Sequence, residues 1–318
     1  MILAKPNSQE VLVVRKTLNI SDRQPQQEIR ILKKLRRQLQ EHIPICTSFT
    51  MVTEGSDVHC LSLAAECDLR TKLGTLQHSR NGSSWNRFTA CLEQFKGLVE
   101  ALHFLHNTES DGENTCYCHM DIKPENIVVF ETDPRDPVGR WKLIDFGIST
   151  IRDKRRFETE GGDRDRTRGQ HVTYTVGTTP KSMRSRYQPP EINSQLDNSP
   201  ENINMLVGRG SDVWALGCVF AEVVAANLRN LNELSRDDTR ERGKPMNEFY
   251  EENRIPRWSK YKRHRSFERW LKDLKRHYNF HPGIEPCRDL IIGMTRISKI
   301  KRPSSEQVLR RLNEFFRT

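Results

Sequence analysis

The run VWALGCVFAEVVAANL, from Val213 to Leu228, constrains the fold more than any other stretch of the chain. A helix that is apolar on nearly all faces has to be enclosed by other elements. A bilayer span needs about 20 predominantly apolar residues, and this run is both too short and interrupted by Gly217 and Glu222. It therefore predicts a buried helix inside a globular body. The chain has 318 residues, 35% of them hydrophobic, which is enough for one large domain or two lobes around such a core.

The texture of the sequence changes along its length. Met1 to Ala4 and Val11 to Val14, separated by the turn-like KPNSQ, predict a hairpin. In QQEIRILKKLRRQL, residues Ile29, Leu32, Leu35 and Leu39 fall on one face with charges opposite, which is helical periodicity. Apolar runs at Ile45 to Val52 and Val58 to Ala65 predict two more strands. The first 65 residues thus read as a small sheet with one helix. Beyond them helices dominate: Phe88 to His106, Asp212 to Ala226, Cys287 to Thr295, and Ser304 to Phe316. Two short strands, NIVVF and RWKLI, flank the loop TDPRDPVG.

Eight cysteines form no even framework, and Lys5 and Pro6 interrupt any apolar leader at the start, so a reducing, intracellular setting is expected, in the cytoplasm or nucleus. CYCH at 116 to 119 lacks the second ligand pair of a metal site. Lysine and arginine number 52 against 42 acids, a net charge of +10, which favours acidic partners without naming one.

The stretch HMDIKPENIVV, His119 to Val129, puts Asp121, Lys123 and Asn126 in a polar loop running directly into an apolar strand. That combination can accept a proton, steady a phosphate and hold a hard cation. Taken alone, it could equally be a polar loop capping a helix end.

Four further motifs follow in order: IDFGIS at Ile144 to Ser149, YQPPE at Tyr187 to Glu191, SDVWALGC at Ser211 to Cys218, and KRPSSEQVL at Lys301 to Leu309. With HMDIKPENIVV they resemble the eukaryotic protein kinase family, serine/threonine type, and the style of CDLRTKL and QPPE is similar to members from filamentous fungi. The resemblance implies an α+β fold of two lobes. Residues 1–65 would form a small β-rich lobe incomplete at its start, and 66–318 the hinge and a larger, mainly helical lobe. It also implies ATP-dependent, magnesium-dependent transfer of a phosphoryl group to a protein serine or threonine. Asp121 would orient the substrate hydroxyl, Lys123 reach the transferring phosphate, and Asn126 and Asp145 hold Mg2+. Lys16 would pair the early ATP phosphates and Glu28 would hold that lysine. Arg15 competes for the same slot, but a compact ammonium suits it better than a guanidinium fork. Asp68 matches a ribose contact, with an ordinary helix N-cap as its rival. Glu191 with Arg302, Asp212, and His119 with Phe146 would be architectural.

The sequence departs from the family pattern in three places. No glycine precedes Gly55, so the phosphate-covering loop ahead of Lys16 is expected to be missing. That keeps open a pseudokinase scaffold that binds without turnover. Met120 stands where many members carry Arg, which argues against regulation by loop phosphorylation. The segment between Asp145 and Glu191 is long, with VGTT displaced upstream of YQPPE. Finally, Arg254 to Tyr278 is strongly basic, with Trp258, Tyr261, Phe267 and Trp270 interleaved. The favoured reading is a solvated helix burying its aromatics. Docking of an acidic protein substrate comes next, and nucleic acid is the least favoured partner.

Overall fold

The computed structural model describes residues 2–4, 10–21, 23–38, 50–78, 84–107, 115–131, 133, 135–146, 150–153, 185–192, 208–229, 234, 248–253, 260–277 and 283–317. Several expectations lie outside them: Leu39, 45–49, the glycine of the IDFG motif, VGTT and Trp258.

The chain folds into two lobes. The small lobe is a four-stranded sheet in the order β1-β2-β4-β3, built from β1 (Ile2–Ala4), β2 (Glu10–Asn19), β3 (Thr50–Glu54) and β4 (Asp57–Leu63). β1 and β2 form the expected antiparallel hairpin, with Ile2 opposite Leu12 and Ala4 opposite Glu10. β2 is longer than its apolar core suggested, because backbone pairing with β4 continues from Val13 opposite Leu63 to Asn19 opposite Asp57. Successive residues of a strand face opposite sides. Leu12, Val14, Lys16 and Leu18 therefore share one face, and Arg15 lies on the other. Helix α1 (Arg23–Gln38) buries Ile29, Ile31, Leu32 and Leu35 in the same apolar cluster as Leu18, Val58 and Cys60.

A short link leads through β5 (Cys67–Asp68) into helix α2 (Leu69–His78) and the long helix α3 (Ser84–Asn107). β6 (Thr115–Cys118) follows, and then β7 (Ile127–Phe130) and β8 (Arg140–Leu143), which make a three-stranded sheet with β5. β9 (Thr150–Asp153) pairs with β6.

Helix α4 (Arg209–Asn227) is the apolar run read from the sequence, and it is enclosed as expected, with residues 210–227 all buried. Phe220 stacks on Phe95 of α3 with ring centroids 4.0 Å apart. At Gly217 an added Cβ would lie 2.7 Å from the Met294 Cβ, so this position of α4 accepts no larger residue without displacing a neighbour. The rest of the large lobe comprises a ribbon of β10 (Tyr250–Glu252) and β11 (Tyr261–Arg263), then α5 (Arg265–His277), α6 (Ile284–Met294) and α7 (Ser305–Phe315). α7 opens with a capping box in which Ser304 accepts from the Gln307 N–H while the Gln307 side chain accepts from the Ser304 N–H. In the basic region, Tyr261, Phe267 and Trp270 are buried while Arg269 and Lys272 are exposed, which fits the solvated-helix reading. Among the described residues no helix is long and apolar enough to cross a membrane.

Candidate active site

The 119–126 loop is held from beneath by α4. Asp212 accepts the backbone N–H groups of His119 and Met120, each at 2.8 Å, and lies 3.1 Å from His106 Nε2. His119 packs against Phe146 with ring centroids 5.0 Å apart, and its Nε2 lies 2.9 Å from the Ile144 carbonyl oxygen. Met120 adopts φ 71°, a left-handed conformation unusual for a side chain of that size. The two hydrogen bonds to Asp212 span this strained unit. His106, Cys118 and Asp212 bring potential ligand atoms within 4.8 Å of one another. A cation there would have to take oxygens that the backbone N–H groups already occupy.

The same loop brings Asp121, Lys123 and Asn126 together. Asp121 Oδ2 accepts from Lys123 Nζ at 2.7 Å and from Asn126 Nδ2 at 2.8 Å, and Asn126 Nδ2 also donates to the Asp121 carbonyl at 2.9 Å. Pro124 opens a single 3-10 turn that places Asn126 directly before β7, and the Ile144 N–H then bonds the Asn126 carbonyl at 3.0 Å. This bond ties the loop to the strand end that carries Asp145. Asp145 has φ 62° and a half-exposed side chain.

Lys16 reaches the same cleft from the small lobe. Its Nζ donates to Glu28 Oε1 at 2.5 Å and to Asp145 Oδ1 at 2.9 Å. Burial alone would lower the ammonium pKa, but the hydrogen bonds and negative charges of Glu28 and Asp145 hold it above the ordinary lysine value. Of the two candidates Arg15 and Lys16, it is Lys16 whose side chain meets Glu28 and Asp145. Leu12 and Val14 lie on the Lys16 face and are well exposed, at 62% and 52%.

Asp68 stands apart from this constellation in its bonding: its Oδ1 accepts from the Thr71 N–H at 2.8 Å, the N-cap interaction weighed against a ribose contact. Glu191 and Arg302 form a bidentate pair at 2.6 and 2.8 Å, and Arg302 also donates to the carbonyls of Gly210, Arg296 and Ile297.

A second cluster borders the loop that the motifs did not announce. Arg70 donates from Nε to Glu125 at 3.0 Å, from Nη1 to Glu222 at 3.1 Å, and from Nη2 to the Tyr187 hydroxyl. The Tyr187 hydroxyl also lies 3.0 and 2.9 Å from the two Glu222 oxygens. The one charge interrupting the apolar run at Val213 to Leu228 was the available signal for this cluster. A carboxylate on a buried helix needs partners, and those partners lie far away in sequence.

The oxygen donors fit a hard divalent cation. Asp145 presents a carboxylate, and the bond from Asn126 Nδ2 to Asp121 leaves the Asn126 amide oxygen as an atom that could hold such a cation. The Lys16 ammonium fits a polyphosphate in the same cleft.

Comparison with known proteins bears on the family and the fold. A family model described as "Protein kinase domain" matches residues 2–312. The chain is 31% identical over 134 residues to the dual specificity protein kinase zak2 of Dictyostelium discoideum, covering 42% of this chain and 16% of that protein. It is 28% identical over 170 residues to CBL-interacting serine/threonine-protein kinase 15 of Arabidopsis thaliana, covering 50% of this chain and 31% of that protein. To the probable serine/threonine-protein kinase mps1 of Dictyostelium discoideum it is 26% identical over 196 residues, 62% of this chain and 16% of that protein. The matched parts are therefore less than a third of these relatives' lengths. None of these three comes from a filamentous fungus, and that part of the expected resemblance finds no support in them. A crystal structure of the yeast RNA Pol II CTD kinase CTDK-1 complex superposes on 97% of this chain and 86% of its own with a TM-score of 0.56 at 17% identity. That likeness speaks to the fold. The chain belongs to the protein kinase domain family.

Proposed function

We infer that the chain transfers the γ-phosphate of ATP to a serine or threonine hydroxyl of a protein, in an intracellular setting, with residues 1–65 as the nucleotide-covering lobe and 66–318 as the hinge and substrate-bearing lobe. The observation that carries this reading is the state of the Asp121 carboxylate. Its Oδ2 is fixed by Lys123 and Asn126, and among the described residues its Oδ1 carries no hydrogen bond. A fixed carboxylate with one oxygen unspent is suited to orient an alcohol and take its proton.

Bound Mg2+ would neutralise charge on the phosphate oxygens, and Asn126 and Asp145 would hold it. Lys16, kept in place by Glu28, would pair the nucleotide phosphates. Leu12 and Val14 would offer an apolar surface to the base. Lys123, 2.7 Å from Asp121, would meet the negative charge that develops between acceptor and donor oxygens. Asp68 would contribute through its N-cap bond to the start of α2, with the ribose contact as its further role.

The test is phosphate incorporation from radiolabelled ATP into an acidic protein substrate such as casein, with Mg2+, by the purified chain and by Asp121→Asn. Incorporation on serine or threonine that depends on Mg2+ and falls at least 100-fold in Asp121→Asn is expected. Equal incorporation by the two proteins overturns the reading. A scaffold that binds without turnover is the second reading, in which the contacts of Lys16 with Glu28 and Asp145 would serve binding alone. No phosphate transfer and no thermal stabilisation by Mg2+-ATP would establish it.

A further inference from the structure

We propose that Arg70 is a positioning residue for the protein substrate, a single guanidinium that fixes the 185–192 segment and the 124–126 turn against the core helix. This deepens the kinase reading and rests on it for the word substrate. Arg70 is the second residue of α2, and all three of its nitrogens are spent on three different parts of the large lobe. Nε holds Glu125, which adjoins Asn126 and lies two residues beyond Lys123. Nη1 holds Glu222 on α4, a carboxylate with no exposure to solvent. Nη2 holds the Tyr187 hydroxyl, and the guanidinium carbon sits 5.8 Å from the centre of the Tyr187 ring.

The charges explain why these contacts form together. A buried carboxylate needs compensation. Glu222 gets it from Arg70, from the Tyr187 hydroxyl, and from Arg186 with Nη2 at 3.7 Å. Arg186 is in turn laid over the Phe249 ring at 4.7 Å. Burial first, and then the Glu222 charge, push the Tyr187 phenol well above its ordinary value, so it remains a donor. For Arg70, burial works against the charge, but Glu222 and Glu125 outweigh it and the guanidinium stays ionised.

The fork geometry matters. A lysine presents its donors from one atom and cannot reach three acceptors spread around a planar guanidinium. Arg70 thus sets the distance between the turn that carries Asn126 and the segment that carries Tyr187. On this proposal an extended substrate chain presenting its hydroxyl to Asp121 passes along that segment, which Arg70 ties to the turn beside Lys123. The expected consequence is a defect in protein-substrate binding larger than any change in nucleotide handling, because Lys16 is held by its own bonds to Glu28 and Asp145.

The experiment compares the wild-type chain with Arg70→Gln, Arg70→Lys and the double variant Arg70→Gln/Glu222→Gln. Two readouts are taken: backbone hydrogen exchange, and steady-state kinetics with casein and ATP. For Arg70→Gln, exchange of amides in 185–192 should rise at least 10-fold while that of 284–294 stays within twofold. KM for casein should rise about 10-fold with KM for ATP within twofold, and Arg70→Lys should recover only part of both. The double variant removes the buried charge together with its partner. It should regain thermal stability while 185–192 still exchanges fast. Unchanged exchange of 185–192 in Arg70→Gln overturns the proposal, as does a loss of protection that is uniform over the large lobe or fully repaired in the double variant. If the wild-type chain transfers no phosphate, the kinase reading fails, and the exchange data still decide whether Arg70 positions this segment.

Discussion

Asp212 accepts both the His119 and the Met120 backbone N–H at 2.8 Å, one from each carboxylate oxygen. The two bonds span a residue whose φ of 71° the chain would otherwise avoid. In Asp212→Asn one of the two N–H groups meets an amide donor in place of an oxygen. Losing one charge-assisted bond in a buried site should destabilise the fold by about 1.5–3 kcal/mol, read from the urea midpoint. Phosphate transfer should fall further than stability alone explains, because Asp121 directly follows the released unit.

Lys16 and Arg15 are neighbours on opposite faces of β2, and only Lys16 meets Glu28 and Asp145. Lys16→Met should reduce phosphate transfer by roughly 100-fold or more, equivalent to about 2.7 kcal/mol of barrier, and should weaken stabilisation by Mg2+-ATP. Arg15→Met should leave both within twofold. A loss confined to the Arg15 variant would mean that β2 works in the other register.

The Arg302 guanidinium is buried and satisfies Glu191 together with three carbonyl oxygens. Arg302→Met takes the bidentate partner from a largely buried carboxylate and should cost about 3–5 kcal/mol in denaturant unfolding. Glu191→Gln/Arg302→Met removes both charges and should be less damaging than the single change. A double variant no more stable than Arg302→Met would show that the carbonyl contacts outweigh the ion pair.

Burial pushes the Cys91 thiol up to about 11 and the Cys287 thiol up to about 12, from an ordinary value of 9.0. At pH 8 both remain thiols, and thiols react far more slowly than thiolates. Brief iodoacetamide treatment of the native chain, followed by peptide mass mapping, should label the half-buried Cys67 before Cys91 or Cys287. Urea should expose all three. The folded state keeps protons on Cys91, Cys287 and Tyr187 that the unfolded chain gives up. Their contribution is intact below about pH 9 and is lost as pH rises through the folded values. The urea midpoint should accordingly fall between pH 8 and pH 10.5.

Some of this site could be read directly from the sequence because its members are neighbours in the chain. Asp121, Lys123 and Asn126 sit within one short loop, and Pro124 fixes the turn that makes them converge. The buried helix at Val213 to Leu228 was equally plain, because an apolar surface on every side leaves one environment for it. Lys16 was harder, since strand alternation alone leaves two registers, and its 2.9 Å contact is to Asp145, 129 residues away. The extent of β2 was underestimated because its second half, Arg15 to Asn19, is held by pairing with β4 and has no apolar alternation of its own. Arg70, Glu125, Tyr187 and Glu222 could not be assembled from the sequence at all. They come from four separate segments, and what unites them is the charge of one enclosed carboxylate.

On the proposed kinase reading, the contact between Lys16 and Asp145 would bear on the order in which ligands bind. A divalent ion arriving at Asp145 would meet an ammonium already in residence, and like charges repel at that range. Magnesium alone should bind feebly. A polyphosphate supplies a new anion for the displaced ammonium, so each ligand makes room for the other. Such cooperativity would be reciprocal by thermodynamic necessity, and a single lysine between two acids would be enough to generate it.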